Sequence, residues 1–294
     1  AMPPADPKFT VQSGNIAYAV WEGGAIIKAI SSLTTDGDIF EVKSRSRKLF
    51  ACCCSKQQIF GLFSTYIAVV DINDLTQSNG VSTAWKKLVD VPSQTPEFSH
   101  LSIVEIFDNI FFFAFEHELE EHDVQVCRVY SITRNKWYNL DYRFRLMPSS
   151  IIGYHTTTKS GNTLILTAAA EDNETKKTEF TITYIYTDDD PADTIIKRVS
   201  VPGIHQTLFA HKATSVNRKL FISGGLITSR MGYSHNNRIY IFDLESEEIT
   251  GHIVMSDGRC FHHCMVISDT FVIMGGQLNK AADPQADLFV ALTQ

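Results

Sequence analysis

The sequence predicts an all-β protein that repeats one small antiparallel sheet about six times. Three observations support this prediction: two similar segments that start 51 residues apart, weaker copies at similar spacing, and a strand-favouring composition. The chain has 294 residues with 19 Phe and 10 Tyr, and 44% of its residues are hydrophobic. Aromatic residues fit the pleated surface of a strand, and this hydrophobic fraction is sufficient for a large core.

The clearest repeated segment is a cassette that begins with His and ends in Gly-Gly. It occurs as HHCMVISDTFVIMGG at His262–Gly276 and as HKATSVNRKLFISGG at His211–Gly225. Each copy has an apolar run, a short polar break and a second apolar run, which predicts a strand, a tight turn and a strand. The diglycine marks a position where the backbone turns or is closely approached.

Weaker copies of the cassette occur at His155–Ala169, His100–Phe115 and Phe50–Ser64. The five copies start at residues 50, 100, 155, 211 and 262, and a strand pair, Phe9–Gln12 and Asn15–Trp21, precedes them. The period predicts a single domain over residues 1–294. Its six units cover approximately residues 8–46, 47–97, 98–149, 150–204, 205–258 and 259–294.

Two further strands are predicted after each cassette. In the fifth unit they are Arg238–Leu244 and Glu247–Val254, and in the third unit Val126–Thr133 and a Trp-containing strand at Lys136–Leu140. Together with the diglycine cassettes, this pattern resembles the kelch family of β-propellers. The resemblance implies a six-bladed kelch-type β-propeller with four antiparallel strands in each blade. Blades packed around an axis cover each other's hydrophobic faces and leave only short sheet edges.

Two structural details stay open in the sequence. Trp85 and Trp137 either fill gaps between neighbouring blades or lie at the rim on the outer strands. The last unit has strands at 263–267, 270–275 and 287–291, and it lacks a fourth. Either Phe9–Gln12 supplies that strand and closes the ring, or the last unit stays three-stranded. The strand count favours keeping Phe9–Gln12 in the first unit.

Composition argues against several classes of protein. The net charge of −7 and the absence of a long basic run argue against a nucleic-acid partner. No apolar stretch approaches the roughly 20 residues of a membrane span, and the N-terminus does not resemble a signal peptide. Six cysteines without disulfide-type spacing predict a reducing intracellular compartment, the cytoplasm or the nucleus. We interpret Cys52–Cys54 as small packed hydrophobic residues.

Candidate metal sites are weak, and we predict no catalytic residue, metal or cofactor. On a strand, with a rise of about 3.3 Å per residue, Cys260 and Cys264 lie too far apart to share a zinc ion. Asp188–Asp190 lacks the spaced ligands of a calcium loop. The cassette histidines His100, His155, His211 and His262 recur at one height in a propeller. They either form a ring that binds metal or anions, or each bonds to a backbone carbonyl of a neighbouring blade.

Candidate partner-binding residues lie on the loops between the second and third strands and between units. In an antiparallel meander these two kinds of loop emerge on the same face, which kelch proteins use for partners. Long loops on a rigid scaffold often carry binding residues, and Arg and Tyr are frequent interface anchors. The predicted contact residues are Arg230, Tyr233, His235, Asn236, Arg259, Glu118, Glu120 and Glu121. Arg259 has a second interpretation as a structural bond to a loop carbonyl, and the loops as a whole could be plain surface insertions.

The predicted function is therefore a non-catalytic protein–protein interaction module that binds a protein segment on this face. The kelch resemblance implies a scaffold, an adaptor or a substrate receptor of a ubiquitin ligase. The alternative is a metal- or sugar-dependent enzyme that uses the central channel of the propeller. A weaker third hypothesis is homo-oligomerisation through an exposed blade edge.

Overall fold

The computed structural model describes residues 7–13, 16–21, 25–31, 37–43, 48–77, 83–92, 102–117, 123–145, 156–171, 177–267, 270–278 and 288–291. Nearly all regular structure in these ranges is β-strand. The first strands are β1 Phe9–Ser13, β2 Ile16–Val20, β3 Ile26–Ile30, β4 Ile39–Lys43, β5 Leu49–Ser55, β6 Gln58–Phe63, β7 Tyr66–Asp71, β8 Thr83–Ala84 and β9 Lys86–Asp90. The middle strands are β10 Ser102–Ile106, β11 Asn109–His117, β12 Asp123–Ser131, β13 Lys136–Arg145, β14 Thr156–Ser160, β15 Thr163–Glu171, β16 Thr178–Tyr186 and β17 Ile195–Ser200. The last strands are β18 Leu208–Phe209, β19 Lys212–Val216, β20 Lys219–Ser223, β21 Leu226–Ser229, β22 Gly232–His235, β23 Arg238–Asp243, β24 Glu248–Val254, β25 Arg259–Cys260, β26 His263–Ile267, β27 Thr270–Met274, β28 Gln277–Leu278 and β29 Leu288–Ala291.

The chain divides into two compact units. The first comprises Ala1–Thr95, Cys264–Ile273 and Phe289–Gln294, and the second comprises Pro96–His263 and Met274–Leu288. The first unit contains the antiparallel sheet β1-β2-β3-β4, to which β8 adds in parallel, and the sheet β5-β6-β7-β9. The sheet β26-β27-β29 also lies almost entirely in this unit.

The core of the first unit forms where the faces of its sheets meet. Phe63, Ile59 and Leu49 are fully buried together with Val20 and Ile27 of the first sheet. Trp85 belongs to the same cluster and meets the ring of Phe63 edge-on at 5.5 Å. A Cβ on Gly61 would lie 3.0 Å from the Trp85 ring, so the glycine makes room for the indole. Trp85 therefore fills an interior gap, as one of the two interpretations predicted.

Two side-chain bonds join the first and last sheets within the first unit. The Nε2 of Gln12 donates to the Val266 carbonyl at 2.6 Å, and its Oε1 accepts from the Val266 amide at 2.9 Å. The side chain of a residue on β1 therefore completes the backbone bonding of a residue on β26. β1 itself pairs with β2, so it stays in the first sheet, as the strand count predicted. In the described part of the chain the last sheet has three strands.

The second unit contains three four-stranded meanders: β10-β11-β12-β13, β14-β15-β16-β17 and β19-β20-β23-β24. Phe111, Phe113, Leu164 and Leu166 pack between the first two of these sheets. A second cluster, which includes Phe180, Ile182, Leu220 and Phe242, joins the second sheet to the third. Trp137 contacts Tyr130 and Phe112 of its own sheet, at centroid distances of 5.3 and 6.4 Å.

The all-β prediction is confirmed, and most predicted strands are present within one or two residues. Tyr66–Asp71 has the predicted bounds, and Arg238–Asp243 ends one residue before the predicted strand. The sequence did not predict helix α1, Ile72–Gln77, which begins where Asp71 Oδ1 accepts the Asn73 amide at 2.8 Å. No helix in the described ranges is long and apolar enough to cross a membrane.

Candidate interaction surface

The two clear cassettes of the sequence adopt the same backbone geometry. Gly224 and Gly275 have φ of 58° and 60°, and Gly225 and Gly276 have φ of 98° and 87°. These values favour glycine because a Cβ there is strained. A Cβ on Gly225 would lie 2.6 Å from the Phe209 carbonyl oxygen, and one on Gly276 would lie 2.6 Å from that of Cys260. The diglycine is therefore needed for both the turn and the close approach of the backbone.

A short pair of strands flanks each diglycine. β18 pairs with β21, and β25 pairs with β28, so the residues before each cassette bond to those after it. The residues between the short strand and the cassette histidine, Ala210 and Phe261, have φ of 52° and 55°. The Phe261 amide donates to the Ala210 carbonyl at 3.2 Å, and the Gly225 amide donates to the Arg259 carbonyl at 2.7 Å. Successive repeats are thus joined backbone to backbone at this end of the second unit.

The cassette histidines bond to hydroxyl groups of the preceding sheet. Nε2 of His211 lies 2.8 Å from Oγ1 of Thr167, and Nε2 of His262 lies 2.8 Å from Oγ of Ser223. Thr167 and Ser223 occupy the same position in their cassettes, twelve residues after its start. Thr167 donates to the Thr156 carbonyl at 3.4 Å, and Ser223 to that of Lys212 at 3.4 Å. Because each hydroxyl donates its single proton to a carbonyl, we assign Nε2 of each histidine as the donor to the hydroxyl.

These contacts correct one sequence prediction. The partner of each described cassette histidine is a side-chain hydroxyl, not the predicted backbone carbonyl. His211 and His262 are 2% and 0% exposed. Burial, with Lys212 nearby, lowers the pKa of His211 to about 3, and burial with Lys212 and Arg259 lowers the pKa of His262 well below its usual value. Both imidazoles are neutral at physiological pH. His100 and His155 lie outside the described residues.

The loop predicted at Leu226–Asn237 contains a β-hairpin formed by β21 and β22. Ser229 pairs with Gly232 across the turn, and Arg230 and Met231 form the tip. The Ser229 hydroxyl accepts the Met231 amide at 3.2 Å and donates to the Gly232 carbonyl at 3.0 Å. Gly232 has φ of 114°, which supports the tight return of the chain. The tip therefore has a defined conformation although it projects from the sheet.

The exposed side chains of this hairpin are large. Met231 is 99% exposed and Tyr233 is 60% exposed, and Arg230 is also exposed. One face of Tyr233 meets the buried Phe209 ring edge-on, at a centroid distance of 5.6 Å. Phe261, 40% exposed, follows the buried Cys260, which packs with Phe209 in one apolar cluster. We call Arg230, Met231, Tyr233 and Phe261 the hairpin surface.

Buried polar side chains bond to the two diglycines. Asn236 is 5% exposed, and its Nδ2 donates to the carbonyls of Gly224 at 2.8 Å and Arg238 at 3.2 Å. Arg259 is 4% exposed, and its Nη1 donates to the Gly275 carbonyl at 3.3 Å. Each of these side chains thus satisfies the first carbonyl of a diglycine.

The predicted contact residues therefore separate into groups. Arg230 and Tyr233 are exposed on the hairpin surface. Asn236 and Arg259 are buried framework residues. Each bonds to a backbone carbonyl, which is the second interpretation given above for Arg259. His235 is half-buried, with its backbone against Gly258. Glu118, Glu120 and Glu121 lie outside the described residues and stay predictions.

Two members of the hairpin surface, Met231 and Phe261, were not predicted from the sequence. The one sequence signal for Met231 is that it is an apolar residue in a polar segment, between Arg230 and Gly232. Phe261 follows the short strand β25 and has φ of 55°. Neither property can be read from a single sequence, because an isolated apolar residue is more often buried than exposed.

The other candidate sites have structural partners. Asp190 accepts the Ala192 amide at 3.0 Å at the start of a short 3-10 turn, Pro191–Asp193, and pairs with Arg134 at 2.7 Å. These bonds lower the pKa of the Asp190 carboxyl. All six cysteines are free thiols, and burial raises the pKa of Cys260 to about 11. Within the described ranges, no three His, Cys, Asp or Glu side chains are grouped to hold a metal ion.

No protein-family model matches the chain, and no curated protein matches it at a significant level. A solved structure titled "Structure of YjhT" is similar to 82% of this chain and 93% of that chain, with 10% sequence identity and a TM-score of 0.40. A similarity of that size carries no argument about this chain.

Proposed function

We propose that this chain is a non-catalytic protein–protein interaction module built as a six-bladed kelch-type β-propeller. The observation that carries the function is the hairpin surface, in which Met231 is 99% exposed on a turn held by side-chain bonds. An exposed Met and Tyr beside an Arg is typical of a contact surface, because these residue types are enriched at interfaces.

Repeated neighbour contacts support the proposed propeller. In the second unit, Lys159 of one sheet reaches Glu105 of the preceding sheet, with Nζ 3.3 Å from its carbonyl oxygen. Thr156 donates to the His211 carbonyl of the following sheet at 2.9 Å. In the first unit, Gln12 makes the corresponding contact between the first and last sheets. A radial array is the simplest arrangement in which neighbouring sheets within each unit bond in this way.

The free thiols of all six cysteines support a reducing intracellular location for this module. In such a compartment, the proposed role is that of a scaffold, an adaptor or the substrate-receptor part of a larger assembly. The protein partner binds as a peptide segment or as a domain surface. Its contact with Arg230 predicts binding that weakens as salt concentration rises.

An affinity capture with a matched variant tests the proposal. The whole chain and an Arg230→Ala/Tyr233→Ala double variant are immobilised at equal density in a lysate of native cells. Bound proteins are then quantified by mass spectrometry. We expect at least one protein to be enriched on the unchanged chain and depleted at least about tenfold on the variant, because anchor residues of this kind carry much of the binding energy.

A second variant, Arg218→Ala, controls for loss of surface charge. Arg218 is exposed and lies in a turn that joins β19 to β20, where its Nη1 is 3.2 Å from Glu245. The expected capture by this variant equals that of the unchanged chain. Identical capture by all three proteins would remove the hairpin surface from the proposed function.

A further inference from the structure

We propose that the partner binds as an extended, acidic segment that adds to the edge of β22 at Tyr233. This inference rests on the proposed function and names the chemistry of its ligand. Three features support it: the open edge of β22 at Tyr233, the charge of the hairpin and the exposed apolar surface of Tyr233.

β22 is the edge strand of the small sheet β18-β21-β22 in the described part of the chain. The Asn236 amide donates to the Gly225 carbonyl at 2.8 Å, so these two residues lie at a bonding position of the ladder, although the Gly225 amide donates to Arg259 instead. Bonded and non-bonded pairs alternate along an antiparallel ladder. The register pairs Thr228 with Tyr233, three positions further on, and this pair is non-bonded. The backbone N–H and C=O of Tyr233 therefore point away from β21.

The bonds of Thr228 support this assignment of the ladder. Its amide donates to Oγ1 of Thr207 at 3.1 Å, and its carbonyl accepts from the same hydroxyl at 3.2 Å. Both backbone groups of Thr228 therefore face Thr207, the residue that precedes β18. By the symmetry of a non-bonded pair, both groups of Tyr233 face the open side. A peptide in extended conformation can bond to this donor and acceptor, as in strand addition.

The charge around the hairpin favours an acidic segment. The chain has a net charge of −7, but the hairpin and its flanking residues, 226–238, contain Arg230 and Arg238 and no Asp or Glu. Arg230, at the hairpin tip, forms no ion pair with any residue that the structure describes. A carboxylate of a bound segment would therefore meet an available guanidinium, and Arg binds carboxylates with two parallel hydrogen bonds.

The apolar part of the surface requires a partner side chain as well. Tyr233 is 60% exposed, while Phe209 behind it is only 7% exposed. In a strand added to β22, alternate side chains lie on the face that carries Tyr233. An apolar side chain at such a position packs on the exposed ring and covers it. The expected ligand thus combines carboxylates with an apolar residue in an extended segment.

The test selects ligands from random sequences, so the partner need not be identified first. A displayed library of random twelve-residue peptides is selected on the immobilised whole chain, and the selected peptides are titrated by fluorescence polarisation. We expect enrichment of Asp and Glu together with an apolar residue. Tyr233→Ala should weaken binding at least about tenfold. Arg230→Gln should weaken binding and flatten its salt dependence, whereas Arg218→Gln, which loses the same charge in the distant turn, should not.

Tyr233→Pro tests the backbone contact. Its loss of affinity should exceed that of Tyr233→Ala, because proline also removes the outward N–H while the bonds between β21 and β22 remain. Hydrogen exchange of the unchanged chain provides a second measurement, in which a bound peptide should slow exchange at the Tyr233 amide. Equal binding by the Ala and Pro variants, with unaltered exchange, would exclude strand addition.

The remaining outcomes separate this inference from the proposed function. If the selected peptides are basic or uncharged and bind Arg230→Gln and Arg218→Gln equally, the ligand is not acidic and this inference is wrong. If the same peptides bind Tyr233→Ala more weakly, the hairpin surface is still the binding site. Peptides insensitive to both Tyr233→Ala and Arg230→Gln, or a selection that yields no binder, would count against the hairpin surface and the proposed function together.

Discussion

Replacing Gly224 by Ala tests whether the repeated diglycine is needed for its backbone angle or for the close approach of the next repeat. Gly224 has φ of 58°, and a Cβ there would collide with the Arg259 carbonyl oxygen and lie 2.7 Å from Cε1 of His262. Gly161 offers a matched control, because it has φ of 55° and a Cβ there would meet nothing within 4 Å. The two substitutions therefore share the backbone strain and differ in the collision.

The expected cost of each substitution follows from these contacts. An L-residue in the left-handed region costs about 1–2 kcal/mol, and restriction of the unfolded chain returns about 0.4–1 kcal/mol. Gly161→Ala should therefore lower the free energy of unfolding by about 1 kcal/mol. Gly224→Ala should add roughly 1–3 kcal/mol for overpacking against backbone, because a carbonyl held in a hydrogen bond cannot move freely. Gly225 makes that bond, to the same Arg259 oxygen, at 2.7 Å.

Urea unfolding followed by far-UV circular dichroism measures the difference. We expect the Gly224→Ala midpoint to fall at least twice as far as the Gly161→Ala midpoint. If the circular dichroism signal of Gly224→Ala also decreases before the main unfolding transition, the second unit, which contains Gly224, opens first. Equal shifts for the two variants would refute the reasoning, since only backbone strain would then explain both glycines.

Two further predictions concern the buried histidines. Thr167→Val should lower the free energy of unfolding by about 1–3 kcal/mol, because it leaves Nε2 of His211 without its hydrogen-bond acceptor. Calorimetry should therefore show a lower melting temperature for this variant. The control Thr250→Val, on the exposed strand β24, should change the melting temperature little. Acid should also destabilise the fold: both histidines have a lowered pKa, so their neutral forms stabilise the folded chain above about pH 6.5, and this contribution is lost as pH falls towards the pKa of about 3 of His211. Melting between pH 7.5 and pH 5 should fall more steeply for the unchanged chain than for a His211→Gln/His262→Gln variant, and parallel profiles would contradict the assignment.

Strand positions were predictable because each cassette alternates apolar runs with a short turn. Even the turn that joins β10 to β11, which lacks glycine, has a defined geometry, with φ of 52° at Phe107 and 58° at Asp108. The helix Ile72–Gln77 was not predictable, because six residues are too few to show a helical period. The hairpin within residues 226–237 was missed because its strands have four residues each and its polar sequence is equally typical of a loop.

The candidate site was predictable only as a region of the chain. Arg230 and Asn236 lie six residues apart in one polar segment, and the sequence alone predicts both equally as partner-contact residues. Their roles separate when the diglycine is considered. Its left-handed turn leaves the Gly224 carbonyl outside the sheet ladder, and a buried carbonyl without a donor is costly. The residue that can reach this oxygen becomes part of the framework, and Asn236 fills that role.

The same requirement is met by a different residue in the next repeat, where Arg259 donates to the carbonyl of Gly275. An Asn that follows the diglycine by twelve residues and an Arg that precedes it by sixteen thus satisfy equivalent oxygen atoms. Because the donor can precede or follow the diglycine in the sequence, the hydrogen bond can persist while the sequence around the diglycine changes. This freedom explains how repeats of one backbone geometry can diverge in sequence, and why an exposed Arg230 cannot be distinguished from a buried Arg259 without the fold.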